Sequence, residues 1–219
     1  MSGSAIWPLF DLAVFTPRLE LHYATDALLL ELAGIAGDVI APGTRPFEDG
    51  ASFYDPTPAG RRRWLAGQWS ARARTSADWW ALVFAVIIDG RAVGAQEITG
   101  MNFPTTRAVE TFSWLARSHQ GKGIGREMRD AALTLAFEGL GAELARSEAF
   151  ADNIASCSVS RALGYEEDAA FLTPRAGKAT RKLRFVLARN VWLKRRRSDV
   201  RVSGLEPCLP LLGLAPKAD

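Results

Sequence analysis

Residues 113–141 read SWLARSHQGKGIGREMRDAALTLAFEGLG, with glycines at every second position from 121 to 125. The apolar periodicity that follows predicts a helix from about Gly123 to Leu140, which Gly141 ends. Backbone N–H groups at a helix start lack intrahelical partners and lie at the positive end of the helix dipole. Glycine lets a ligand oxygen come close, and Lys122 and Arg126 add positive charge. The stretch therefore predicts a phosphate-binding loop between a strand and a helix.

The spacing of this loop excludes two common phosphate loops. A Walker A loop requires Lys-Ser or Lys-Thr after its last glycine, and neither pair follows Gly125. In the dinucleotide fingerprint the third glycine stands one residue later than Gly125 does. The pattern that remains is Q-x-x-G-x-G, from Gln120 to Gly125.

Hydrophobic patterns along the 219 residues predict the element order β-α-α-β-β-β-α-β-α-β-β, an α/β or α+β mixed sheet with packed helices. The length suits one domain with elaborations. Residues 38–58 form a long irregular connection, and an edge strand is one interpretation of Val200-Arg201-Val202. No run approaches a membrane span of about 18 apolar residues, and the N-terminus is a poor signal peptide. We therefore expect a cytoplasmic protein.

Two further segments share a pattern with the glycine loop. AFADNIASCSVSRALGYEE, residues 149–167, contains Asn153, Ser156 and Gly164-Tyr165, and FTPRLELHYATDALLL occupies residues 15–30. Together with Q-x-x-G-x-G they resemble the GCN5-related N-acetyltransferases (GNAT), in the RimJ/RimL-like branch. Within that branch, the residues of these segments are similar to those of an actinobacterial subgroup. The resemblance covers roughly residues 15–192.

This resemblance implies a central, mostly antiparallel twisted sheet with one splayed parallel strand pair, flanked by about four helices. It places an acyltransferase domain in residues 1–194 and leaves residues 195–219 as a basic, proline-containing extension. It also implies a site for acetyl-CoA or another acyl-CoA, with no metal. The residues implied to bind this donor are Trp114, Leu115, Gln120, Gly121, Lys122, Gly123, Ile124, Gly125, Arg126, Asn153 and Ser156.

The same resemblance implies candidates for proton transfer. Ser156 matches a residue that can protonate the CoA sulfur, and Ser160 stands where other branches carry a tyrosine. A serine or asparagine at a helix start also caps the backbone, so this structural alternative stays open for Ser156 and Asn153. Glu110 is the candidate base and Glu97 its rival, although an ordinary exposed glutamate is an alternative for each.

The expected activity is transfer of an acyl group, acetyl by default, to a primary amine of a protein N-terminus or a small metabolite by direct attack. A longer acyl donor such as succinyl-CoA and a non-catalytic acyl-CoA sensor are the alternatives. Nucleic-acid binding by the basic clusters at residues 61–63 and 194–197 is less favoured, because such clusters are usually solvated. No membrane partner is expected, and similar proteins commonly form homodimers. Acceptor recognition is expected from residues 38–58, the helix with Trp64 and Trp69, and the hairpin around Pro174.

Overall fold

A computed structural model describes residues 3–41, 43–44 and 55–215. Four helices in these ranges have ten residues or more, as the mixed α/β prediction requires. The helices are α1 (Gly3–Ile6), α2 (Asp26–Ile35), α3 (Pro58–Ala73), α4 (Phe103–Thr106), α5 (Ile124–Thr134), α6 (Ile154–Leu163) and α7 (Arg189–Leu193). The strands are β1 (Ala13–Phe15), β2 (Glu20–Tyr23), β3 (Trp79–Ile88), β4 (Arg91–Met101), β5 (Ala108–Leu115), β6 (Leu144–Phe150), β7 (Glu166–Arg175), β8 (Lys178–Ala188) and β9 (Arg201–Ser203).

The strands form one nine-stranded sheet in the order β7-β8-β6-β5-β4-β3-β2-β1-β9. β5 and β6 are the parallel pair, and the other neighbouring strands run antiparallel. The predicted fold class is therefore confirmed, including the single parallel pair. This pair lies near the middle of the sheet, with α5 and α6 following its two strands in the chain.

Side chains at helix starts fix where two helices begin. Thr25 Oγ1 accepts a hydrogen bond from Leu28 N at the start of α2, and Thr57 Oγ1 accepts one from Gly60 N at the start of α3. α5 differs, because its N-cap residue is Gly123, which has no side chain to cap the helix. The helix that was predicted to run to Leu140 ends as α-helix at Thr134 and continues as a π-helical turn over Leu135–Gly139.

The two faces of the sheet carry separate apolar clusters. α5 and α6 pack on one face, whose cluster includes Val109 and Leu115 of β5. α2 and α3 pack on the other face, where Trp114 of β5 joins Trp64. Because side chains alternate along a strand, β5 contributes to both clusters and lies between the two helical layers.

The C-terminal part of the chain is built into the same sheet and core. β9 pairs antiparallel with β1, which gives the sheet the edge strand indicated by Val200-Arg201-Val202. After it, Leu205, Leu209 and Leu212 are buried in the cluster that also contains α5. A Cβ on Gly139 would come within 2.8 Å of Leu205, so the π-helical turn lies directly against this segment. Across the described ranges, no helix is both long and apolar enough to cross a bilayer.

This packing predicts that Leu209→Ala lowers the free energy of unfolding by about 2–5 kcal/mol, because Leu209 is only 2% exposed and its loss leaves a cavity. Leu172→Ala is the matched control, since Leu172 is 71% exposed and its truncation should change stability by less than about 0.5 kcal/mol. Urea unfolding of both variants measures the difference. Equal stability of the two would show that the C-terminal segment does not contribute to the core.

Candidate active site

β5 and β6 diverge immediately after a short paired region. Their Cα partners are Ala108 with Leu144, Val109 with Ala145, and Glu110 with Arg146, and no further pair follows between these two described strands. The next contact is a side-chain bond, from Thr111 Oγ1 to Arg146 O at 3.2 Å. Beyond it, residues 111–115 and 147–150 line opposite walls of a cavity of about 400 Å³. We call this opening the fork.

The backbone N–H and C=O groups of β5 point alternately toward its neighbour β4 and toward the fork. Ala116 N donates to Val93 O at 2.9 Å, and the register places Leu115 opposite Gly94. In an antiparallel ladder, backbone groups alternate between the two sides of a strand. Trp114 N–H and C=O therefore pair with β4, whereas the N–H groups of Ser113 and Leu115 face the fork. Of the two residues expected to offer backbone to the donor, Leu115 presents its N–H group to the fork, whereas Trp114 faces β4 and Ser113 presents its N–H group to the fork instead.

The glycine loop forms one end of the cavity. Gly121 and Gly123 have φ values of 71° and 79°, a conformation that glycine adopts without strain. The first intrahelical bond of α5 runs from Glu127 N to Gly123 O at 3.2 Å, so the preceding N–H groups at this helix start are available to a ligand. Of the predicted loop residues, those whose atoms line the cavity are Gln120, Gly121, Gly123, Gly125 and Arg126. The Ile124 side chain is buried in the core, and Lys122 is exposed.

Side-chain hydrogen bonds tie this loop to two other segments. Gln120 Nε2 donates to Leu115 O and to Val39 O, both at 2.8 Å. Arg117 Nη2 donates to Asp38 Oδ1 at 2.6 Å, one residue before Val39. The loop is therefore joined to the end of β5 and to the segment after α2.

The buried carboxylate of Glu127 connects the start of α5 to the segment between β1 and β2. The Glu127 side chain is 3% exposed and accepts hydrogen bonds from Thr16 Oγ1 at 2.7 Å and from Arg18 Nε at 2.6 Å. Burial raises the pKa of Glu127, but these two hydrogen bonds outweigh it and hold the pKa below its usual value. Arg18 also donates from Nη1 to Lys122 O at 3.4 Å. The sequence patterns did not indicate Arg18 as part of the site, because nothing local links residue 18 to residue 122.

The start of α6 borders the same cavity on the side of β6. Asn153 Oδ1 accepts a hydrogen bond from Ser156 N at 3.2 Å, so Asn153 is the N-cap of α6. Both residues line the cavity. Among the described residues, Ser156 Oγ has no hydrogen-bond partner, which leaves its hydroxyl free to meet a ligand. The structure thus brings Asn153, Ser156, the fork and the glycine loop around one space.

The two candidate bases lie together on the face of the sheet that packs against α2 and α3. Glu110 is paired with Thr99, and Glu97 with Phe112, so the four side chains form a cluster on neighbouring strands. Thr99 Oγ1 donates to Glu97 Oε1 at 3.0 Å. Glu110 is exposed and belongs to the last residue pair before the fork opens. Neither glutamate is among the described residues that line the cavity.

The regions expected to recognise an acceptor are only partly described. Residues 42 and 45–54 of the predicted connection lie outside the described ranges. Trp64 is buried with its ring centroid 6.3 Å from that of Trp114, so it packs in the core. Trp69 is 46% exposed and donates from Nε1 to Asp26 Oδ1 at 3.1 Å. Pro174 lies in β7 opposite Ala179.

A splayed parallel strand pair, an uncapped glycine-rich helix start and a serine on one cavity are the features expected of an acyl-CoA-dependent transferase. A family model for the acetyltransferase (GNAT) domain matches residues 39–166, more than half of the chain. The chain therefore belongs to the GNAT acetyltransferases, enzymes that use acetyl-CoA.

Solved structures of this family share the fold at low sequence identity. One is RimL, a ribosomal L7/L12 alpha-N-protein acetyltransferase in complex with coenzyme A (18% identity, TM-score 0.66, covering 79% of this chain and 95% of that one). Another is the ribosomal-protein-S5-alanine acetyltransferase from Vibrio fischeri (16% identity, TM-score 0.63, covering 83% of this chain and 99% of that one). A third comprises mutant forms of the spermidine/spermine N-acetyltransferase SpeG from Vibrio cholerae (17% identity, TM-score 0.62, covering 81% of this chain and 98% of that one). At these identities the likenesses show a shared fold.

The loop geometry predicts that Gly123→Asp abolishes detectable binding of CoA. A side chain at φ 79° is strained, and the carboxylate would stand where negatively charged phosphates are expected. Gly177→Asp is the control, since Gly177 has a similar φ of 70° in the turn between β7 and β8 and lies outside the cavity lining. Calorimetric titration with CoA measures both variants. Unchanged affinity in Gly123→Asp would exclude this loop as the phosphate site.

Proposed function

We propose that this protein is a CoA-dependent N-acyltransferase that moves an acyl group, acetyl by default, to a primary amine by direct attack. The observation that carries the proposal is the continuity of the cavity. The glycine loop, both walls of the fork, Asn153 and Ser156 all line it. One extended ligand that carries both phosphates and a thioester can therefore contact all of these groups.

In this proposal the diphosphate of the donor binds the N–H groups of residues 121–126, and Arg126 adds charge beside it. The pantetheine arm then pairs with the fork-facing N–H groups of Ser113 and Leu115, in place of the strand that β6 no longer provides. An N–H at this position polarises the thioester carbonyl and stabilises the negative charge that develops on its oxygen.

The reaction requires two proton transfers on opposite sides of the carbonyl. The amine nitrogen attacks the carbonyl carbon, the C–S bond breaks, and the sulfur leaves with the electron pair. We assign protonation of this sulfur to Ser156, whose hydroxyl is uncommitted within the described structure. The amine proton passes to a carboxylate on the α2 and α3 face, for which Glu110 at the opening of the fork is the first candidate and Glu97 the second.

We infer that the acceptor is a protein N-terminus or a small amine. The structural neighbours are named for ribosomal proteins and for spermidine, so one fold serves both classes of amine. In this chain, Val39 lines the cavity and lies in residues 38–58, the connection from which we expect acceptor contacts. We also propose that residues 1–194 form the acyltransferase unit, with residues 195–219 as an extension that adds β9 to its sheet.

Ser156→Ala should lower kcat about 100-fold while the affinity for acetyl-CoA changes less than about twofold, because the hydroxyl acts only when the sulfur leaves. Ser158→Ala on the exposed side of α6 is the control and should retain wild-type kinetics. Thiol release from acetyl-CoA with a panel of amines measures kcat, and calorimetry measures affinity. An unaltered kcat in Ser156→Ala would remove the acid role from this residue.

Glu110→Gln should lower kcat/KM about 100-fold for an amine with a high pKa, since such an amine must lose a proton. The same variant should affect an amine of low pKa much less, because that amine is already neutral. Glu97→Gln, on the same face, is the matched comparison. A larger loss in Glu97→Gln than in Glu110→Gln would transfer the role of base to Glu97.

A further inference from the structure

Arg129 of α5 is a buried cation that faces the cavity without a counter-ion. It is 4% exposed and belongs to the cavity lining. Its partners are neutral hydroxyls, with Nη1 donating to Ser160 Oγ at 2.9 Å and Nη2 to Ser113 Oγ at 3.2 Å. Its Nε–H is buried and has no hydrogen-bond partner among the described residues. Within those residues Arg129 also forms no ion pair.

The surroundings of Arg129 supply no negative charge that would neutralise it. The titratable groups whose charges act on Arg129 are Tyr165 and Cys157, and burial raises the pKa of both, so both are neutral near pH 7. Elsewhere along the cavity, Glu148 is already paired with Lys182 at 2.9 Å. Taking a charge out of water costs several kcal/mol unless an opposite charge compensates. A ligand that brings its own negative charge would supply this compensation.

We propose that the guanidinium group of Arg129 binds a negative charge at the reacting end of the bound acyl-CoA. This inference rests on the proposed function. Arg129 joins Ser113, whose N–H faces the fork, to Ser160, which lies one turn after Ser156 on α6. The guanidinium therefore lies between the backbone expected to hold the donor and the helix that carries the candidate acid.

Two sources can provide this negative charge. The first is the sulfur, which carries the electron pair of the broken C–S bond and is present with every acyl donor. The second is the terminal carboxylate of a dicarboxylic acyl group such as succinyl, which a guanidinium fork can bind in a bidentate manner. Both place an anion against the same guanidinium group, and they differ in which ligands depend on Arg129.

Calorimetric titrations at pH 8.5 with four probes separate these sources. The wild-type protein and Arg129→Met are each titrated with CoA, desulfo-CoA, acetyl-CoA and succinyl-CoA. If the sulfur is the anion, the wild type binds CoA about tenfold more tightly than desulfo-CoA, and Arg129→Met loses this ratio. If a carboxylate is the anion, Arg129→Met loses about tenfold in succinyl-CoA affinity relative to acetyl-CoA.

Two more variants keep the test decisive. Arg126→Met removes a positive charge from the phosphate end of the same cavity, so it should weaken all four ligands and leave both ratios unchanged. Arg129→Lys keeps the positive charge, so it should preserve part of the affinity ratio that Arg129→Met loses. It also provides a usable variant if Arg129→Met folds poorly. If both ratios are unchanged in Arg129→Met and Arg129→Lys, Arg129 has a packing role only and the inference is wrong. If the wild type binds none of the four probes, the proposed function itself fails.

Discussion

The site depends on the point at which β5 and β6 stop pairing. A buried backbone N–H needs a hydrogen-bond partner, and a strand in the middle of a sheet normally finds one on each side. After Glu110 and Arg146 that partner is missing on one side of β5, although α5 and α6 still cover the sheet there. The opening is therefore lined by unpaired backbone donors inside an otherwise packed core. An extended ligand with amide groups satisfies them as a further strand would.

Because side chains alternate along β5, the two faces of the sheet carry different candidate functional groups. Ser113 and Leu115 present their N–H groups to the fork, and their side chains lie on the face of α5 and α6. Glu110 lies on the opposite face, with α2 and α3. A donor and an acceptor can thus approach one carbonyl from opposite sides. A shift of one residue in the β4 and β5 register would exchange these roles, so the bulge-free pairing from residue 94 to residue 100 is part of the site.

Much of this arrangement could be predicted from local sequence, and the remainder depends on contacts between distant segments. The glycine spacing and the N-cap Asn153 are short-range signals found where the residues indicated them, whereas the helix predicted to run to Leu140 changes to a π-helical turn after Thr134. Which backbone groups of β5 face the fork could not be predicted, because the register with β4 determines it. Arg129 and the Arg18 to Glu127 pair were missed for the same reason, since their partners are 16 to 109 residues away in the chain.

These distant contacts also link the donor end of the site to the segment expected to meet the acceptor. Gln120 Nε2 bonds both Leu115 O and Val39 O, and Arg117 holds Asp38. Val39 lines the cavity and belongs to residues 38–58, so these hydrogen bonds join the glycine loop to the start of that connection. The carbonyl of Val39 is thus a direct link between the loop on the donor side and the segment from which acceptor contacts are expected.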